Sequence, residues 1–427
     1  MIKHILFHIR ITLYYYVLLC INVCPVMLLH INIFPSEYSY AVDLICISDC
    51  LYVKMFLGNP GQFATIHVNT ARDISWTTTF YFNNHHSSTL SPPKTETIYF
   101  DDYKINVGKY NDDAVFVNKN TVPYNTTFNP LVVSNWFFYY LDEGLINEFE
   151  TIGMSFKYRN NEFNMIERLY RDNKIKHKEF TLINNNYYTT DFKSGVMIIG
   201  KGSKIEYTSD SVSKGVCNVF TNSNYTLHWG CKLNYIELTI PTPNSNNNNN
   251  NGVYRLTNSK DTSYSFFQTN QKPIYAPLPQ FNHLINVITS SIGDTINNKC
   301  KLNEKLLYYT FQCECDYIKT KNISITFNID NYIYTLSDIF YSELNGYCTF
   351  IIHSRKSTEH VWILGMDFIK NYDITFDYSN SLITLYGVNI SLLSNNQQYK
   401  YILVNIEIII LLLSIMVLVA IKYYYSK

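Results

Sequence analysis

Tyr52-Val-Lys-Met-Phe-Leu-Gly58-Asn-Pro60-Gly-Gln62, followed by Ile66-His-Val-Asn69-Thr70-Ala71 and then Trp76, is the most informative run in the chain. Two segments of strand length flank a Gly-Asn-Pro-Gly turn, and the second ends on a short polar triplet. The same texture recurs further along. Leu51–Leu57, Ala64–Val68, Ala114–Val117, Val196–Ile199, Tyr235–Ile240, Ile323–Ile329 and Ile374–Tyr378 read as short strands bounded by Gly, Pro, Asn and Asp. Helical spacing is confined to Phe163–Asn173 and to Gln280–Ile292, where Phe281, Leu284, Ile285 and Ile288 share one face. A mostly-β body with few short helices is expected. Asn246–Asn251 is a polar tract and reads as a surface insertion.

At 427 residues the chain has room for two or three domains. Its 47% hydrophobic content excludes a disordered chain, and its 16% charged content excludes a coiled coil. Lys plus Arg equals Asp plus Glu at 34 each, so no basic field exists to hold a phosphate backbone and no nucleic-acid partner is expected. The 38 Tyr and 26 Phe against 15 Gly read as the codon bias of an AT-rich genome rather than as an aromatic binding surface.

Both ends point to a membrane. Lys3 and Arg10 precede the apolar run Ile11–Leu29, and small residues follow near Ser39 and Ala41. Residues 1–41 are therefore expected to be a signal peptide or signal anchor. Residues 402–421 are apolar apart from Asn405, Glu407 and Ser414, with Lys422 and Lys427 behind them. This layout predicts a single transmembrane helix with a short cytoplasmic tail, 422–427, and a lumenal or extracellular body. The cysteines fit such a compartment. Apart from Cys20 and Cys24 in the signal region, eight remain: Cys46, Cys50, Cys217, Cys231, Cys300, Cys313, Cys315 and Cys348. Short separations favour the disulfides Cys46–Cys50, Cys217–Cys231 and Cys300–Cys313. Cys313-x-Cys315 has no second pair at finger spacing, so no metal is expected. Asn125, Asn224, Asn322 and Asn389 begin glycosylation sequons.

Read as a whole, the opening run resembles the first lobe of pepsin-like aspartic proteases, peptidase A1. There, strand, Gly-x-Pro-x-Gln turn and strand lead into Asp-Thr-Gly, with a Trp seven positions after the Asp. Further pieces follow in family order: Thr151-Ile152-Gly153; Leu169 to Phe180 with Ile175; Ser194-Gly195 and Ile198-Ile199-Gly200; His228-Trp229; and Trp362-Ile363-Leu364-Gly365 with Phe368, Tyr372 and Phe376-Asp377. The resemblance implies a bilobal β fold, with lobes at 51–205 and 206–392. It also implies a disulfide Cys315–Cys348, a flap near Tyr99, Asp101 and Tyr103, and a groove that takes an extended peptide without any cofactor. The composition, asparagine tract and C-terminal anchor resemble a plasmepsin-related chain, tethered as beta-secretase-like members are.

The resemblance stops at the chemistry. The family uses two aspartates that share a proton and activate a water. The first position here is Asn69-Thr70-Ala71; for the second, the register set by Pro277, Phe281 and Ile288 gives Gln268-Thr269-Asn270. A carboxamide has the shape of a carboxylate but cannot take the proton from water. Asp73 and Asp261 are too far along the chain to stand in without a large rate loss. Only about ten residues separate Ala41 from the Leu51 strand, short for the blocking prosegment of an active member. The leading expectation is a membrane-anchored pseudoprotease that binds extended segments by strand-type hydrogen bonds. The alternatives are an active endopeptidase with divergent motifs and a non-catalytic surface scaffold.

Overall fold

The structure, a computed structural model, describes residues 40–388 except 48–49, 79–82, 84–85, 93, 101–102, 117–130, 142–149, 158–163, 185–192, 201–211, 221–227, 242–250, 258–263, 293–298, 306, 343–344 and 357–360. Residues 1–39 and the expected span at 402–421 lie outside that set. Among the described residues no helix is long and apolar enough to cross a membrane.

The first half runs β1 (Tyr40–Ile47), β2 (Cys50–Leu57), β3 (Gln62–Asn69), β4 (Trp76–Thr78), β5 (Lys94–Phe100), β6 (Tyr103–Phe116), β7 (Val132–Leu141), β8 (Thr151–Gly153), α1 (Met165–Arg171), β9 (Glu179–Asn184) and β10 (Lys193–Ile199). The second runs β11 (Val212–Asn218), β12 (Gly230–Pro241), β13 (Asn251–Thr257), β14 (Tyr264–Phe267), β15 (Ile274–Ala276), α2 (Leu278–Ile292), β16 (Cys300–Glu304), β17 (Tyr308–Glu314), α3 (Cys315–Ile318), β18 (Ser324–Ile329), β19 (Tyr332–Leu336), β20 (Phe340–Ser342), β21 (Tyr347–Phe350), β22 (Ile352–Arg355), β23 (Val361–Leu364), α4 (Met366–Ile369), β24 (Asp373–Asp377) and β25 (Leu382–Val388).

Alternation builds these strands. In β2, Val53, Met55 and Leu57 are buried while Lys54 and Phe56 face outward. Helix α1 is capped by Asn164, whose side chain accepts from Glu167 N, and it buries Met165, Ile166 and Leu169. Helix α2 buries Phe281, Leu284, Ile285 and Ile288, the face expected from the spacing.

A 13-stranded sheet orders its strands β11-β25-β24-β9-β10-β1-β2-β3-β8-β4-β7-β6-β5, and a 12-stranded sheet is built around β12, β14, β23, β15, β22 and β17. The 13-stranded sheet takes strands from both sides of residue 205. Strand β24 pairs with β9, and β25 pairs with both β24 and β11, so C-terminal strands complete the sheet of the first half. The short stretch between Ala41 and the Leu51 strand is largely strand as well. Tyr40 and Ala41 open β1, which pairs antiparallel with β10 and β2.

Three expected disulfides form: Cys217–Cys231, Cys300–Cys313 and Cys315–Cys348, with Cα separations of 5.9, 4.0 and 4.8 Å. Cys313 stands in register opposite both Cys300 and Cys348; its bond to Cys300 leaves Cys348 to Cys315. The expected Cys46–Cys50 bridge is not made. Cys46 pairs with Leu51 and Cys50 with Ile47. Paired residues share a face and neighbours along a strand do not, so the two cysteines point to opposite sides of the hairpin.

Trp229 joins the two halves. It is fully buried, donates from Nε1 to the Met154 carbonyl at 2.7 Å, and packs against Phe156, Phe376 and Tyr378 with ring centroids 4.8–5.0 Å away. Trp229→Ala is expected to cost about 3–5 kcal/mol, read as a lowered urea midpoint. Trp229→Phe should cost less, because Tyr378 Oη still donates to the same carbonyl.

Candidate functional site

Two loops meet where the sheets approach. The first leaves β3 at Asn69 and the second leaves β14 after Phe267. They are equivalent in construction. Strand β3 runs parallel to β8 with Asn69 opposite Gly153, and β4 is antiparallel to β8 and parallel to β7. In the other half β14 runs parallel to β23, and β15 is antiparallel to β23 and parallel to β22. The glycines repeat the symmetry. A Cβ on Gly153 would meet the carbonyls of Ile74 and Arg72 at 2.4 and 2.8 Å; one on Gly365 would meet those of Pro273 and Gln271 at 2.3 and 2.6 Å. Each pair of carbonyls lies three and five residues past Asn69 in one loop and past Gln268 in the other. Any side chain at either glycine would therefore push directly on the loop.

The loops are held by their threonines. Thr70 N donates to Thr269 Oγ1 and Thr269 N donates to Thr70 Oγ1, both at 3.1 Å. Thr70 Oγ1 donates to the Phe267 carbonyl at 2.8 Å, and Thr269 Oγ1 donates to the Val68 carbonyl. Both threonines are fully buried, so each backbone N–H depends on the opposite hydroxyl.

Asn69 is 1% exposed and Gln268 9%. Ala71 N donates to Asn69 Oδ1 at 2.9 Å, which locks that carboxamide. Gln268 is one methylene longer, and among the described residues neither Ala71's counterpart Asn270 nor any other residue bonds its side chain. Asn270 Oδ1 is buried without a hydrogen-bond partner among the described residues. Tyr99 and Tyr103 lie on β5 and β6, a hairpin in which Phe100 pairs with Tyr103; Asp101 lies outside the described residues. Of the sequons, Asn322 is exposed in a left-handed turn, and Asn125, Asn224 and Asn389 lie outside. Asp73 is buried on the first loop, while Asp261 lies outside the described residues. Among the described residues no group of three or more His, Cys, Asp or Glu is placed to hold a metal.

His67 was not singled out by sequence reasoning. It is 5% exposed, and its Nε2–H donates to the Thr269 carbonyl at 3.4 Å, beside the Tyr52 ring. Burial pushes its pKa down to about 4, partly offset by that hydrogen bond. His228 is also lowered, first by burial, with Asp73 opposing and Arg72 reinforcing the shift. The available signal is an imidazole between Ile66 and Val68, in the buried C-terminal half of β3.

Residues 65–387 match the family described as eukaryotic aspartyl protease. The chain belongs to that family. In three dimensions it is similar to the aspartic proteinase of Irpex lacteus, with a TM-score of 0.58 at 13% identity, over 82% of this chain and 98% of that one. At that identity the likeness speaks for the fold alone. No curated relative matches the sequence.

Two outcomes are expected. Thr70→Ala and Thr269→Ala each remove a donor and strand a buried N–H, costing about 1–3 kcal/mol. The double variant should cost less than the sum, because both act on one network; full additivity in urea denaturation would dissolve the network. The second concerns pH. The unfolded imidazole of residue 67 titrates near 6.5 and the folded one near 4, so between those values the unfolded state binds the extra proton. The stabilisation from keeping His67 neutral is fully present above about pH 6.5 and is lost as the pH falls to about 4, amounting to about 3 kcal/mol. His67→Gln should flatten the fall between pH 7 and 4, and His228, of the same sign, should leave a remainder. An unchanged slope would contradict this.

Proposed function

We propose that this chain is a membrane-anchored, catalytically silent member of its family, whose groove binds extended peptide or protein segments. The observation that carries this is the latched loop pair: Asn69 and Gln268 each directly precede a latch threonine and occupy equivalent points of the two loops. In this reading they stand at the two positions where the family carries its aspartates. One carboxylate of such a dyad takes a proton from water while its partner supplies one to the scissile carbonyl. Neither carboxamide can do the first, and losing such a group costs about 10²–10⁴-fold in rate. The latch remains, which preserves a groove after the chemistry is gone. Pairing of an extended segment with strand edges would supply affinity, with the β5–β6 hairpin around Tyr99, Asp101 and Tyr103 as the flap. A signal at 1–41, a span at 402–421, a tail at 422–427 and glycans at Asn125, Asn224, Asn322 and Asn389 would place this body in the secretory pathway.

Family membership by itself favours the rival, an active endopeptidase, and the buried Asp73 is its best carboxylate. The deciding experiment is cleavage of an apolar peptide library by the purified chain across pH 4–6. Turnover abolished by a statine-type inhibitor would overturn the proposal. Asn69→Asp alone should give no hydrolysis, since one carboxylate lacks its proton-sharing partner. Asn69→Asp, Ala71→Gly, Gln268→Asp and Asn270→Gly together should give weak turnover. Membrane anchoring is checked separately: the full chain should resist alkaline carbonate extraction, and a chain ending at residue 392 should not.

A further inference from the structure

The hydrogen bond that locks Asn69 also fixes which of its two side-chain atoms is presented to a ligand. Ala71 contributes a backbone N–H, which can only donate, so the atom it meets at 2.9 Å is the carboxamide oxygen. The other branch of Asn69 is then the Nδ2 amide group, a donor only, and among the described residues nothing accepts from it. A carboxylate in the same place would turn a second acceptor outward and carry charge. Asn69 leaves a donor there and carries no charge. Gln268, across the latch, is likewise neutral and makes no side-chain hydrogen bond among the described residues. The slight exposure of Asn69 and Gln268, 1% and 9%, admits only a group that protrudes from its own chain.

We propose that this floor is a donor site that recognises a protruding oxygen acceptor on an extended peptide and prefers an anionic oxygen to a cationic group. This inverts the electrostatic preference of a carboxylate pair, which repels an anion and attracts a protonated amine. Hydrogen bonds to a charged acceptor are shorter and stronger than neutral ones, so the preference shows in affinity. The inference rests on the groove reading above, and it specifies the chemistry that the groove selects.

The test uses three peptides of identical flanking sequence, differing only in a central phosphinate, hydroxyl or protonated secondary amine. Their binding to the full chain in detergent is measured at pH 7 by fluorescence anisotropy. The phosphinate should bind about tenfold or more tighter than the amine, as a charge-assisted hydrogen bond implies. Asn69→Asp should reverse the order. Gln268→Glu, which places a charge on the other loop, should reverse it as well and serves where Asn69→Asp fails to fold. If all three peptides bind equally, or the amine binds best to the unmodified chain, the groove reading stands and the donor-site inference is overturned. If none binds, both are overturned.

Discussion

The reciprocal bonds between Thr70 and Thr269 are the constraint from which the rest of the site follows. Each threonine gives its hydroxyl proton to a carbonyl of the opposite strand, Phe267 or Val68, and offers its oxygen to the opposite N–H. All four groups are buried, so no arrangement satisfies one loop without the other. The tight approach of Gly153 and Gly365 to the loop carbonyls follows from the same demand, because the loops must be pressed inward from behind to meet. The residues just before the threonines are carried to equivalent places whatever their chemistry. Asn69 and Gln268 are therefore held at equivalent points by the latch and not by their own side chains.

Much of the fold was legible because it is written locally. The alternation of β2, the turn at Gly58–Pro60, the apolar face of α2 and the order of the family-like segments all lie within short windows, where period and turn chemistry speak directly. What was not legible depends on pairing at a distance. Strand β1 has no strong period of its own and exists because β10 and β2 flank it. The closing of the first sheet by β24 and β25 is invisible to any local pattern. The failure of Cys46 to bridge Cys50 turns on which face each residue takes once the hairpin register is set. His67 was passed over because one polar residue in a strand says nothing until the Thr269 carbonyl is placed beside it.

Asn69 and His67 share one face of β3. Asn69 carries no charge, and His67 beside it is buried in its neutral form. The site is most secure where that imidazole stays neutral.

The insertion of β24 against β9 sets a schedule for the ribosome. Strand β9 is complete at Asn184, but the partner for its outer edge begins only at Asp373. At about 5–20 residues per second, that edge waits on the order of 10–40 s during synthesis. Throughout this interval Phe180 and Leu182, fully buried in the finished protein, belong to an unpaired strand edge of the kind that recruits other chains. The first half cannot reach its final state as an autonomous unit. Until its last strands arrive, the nascent chain carries that edge uncovered.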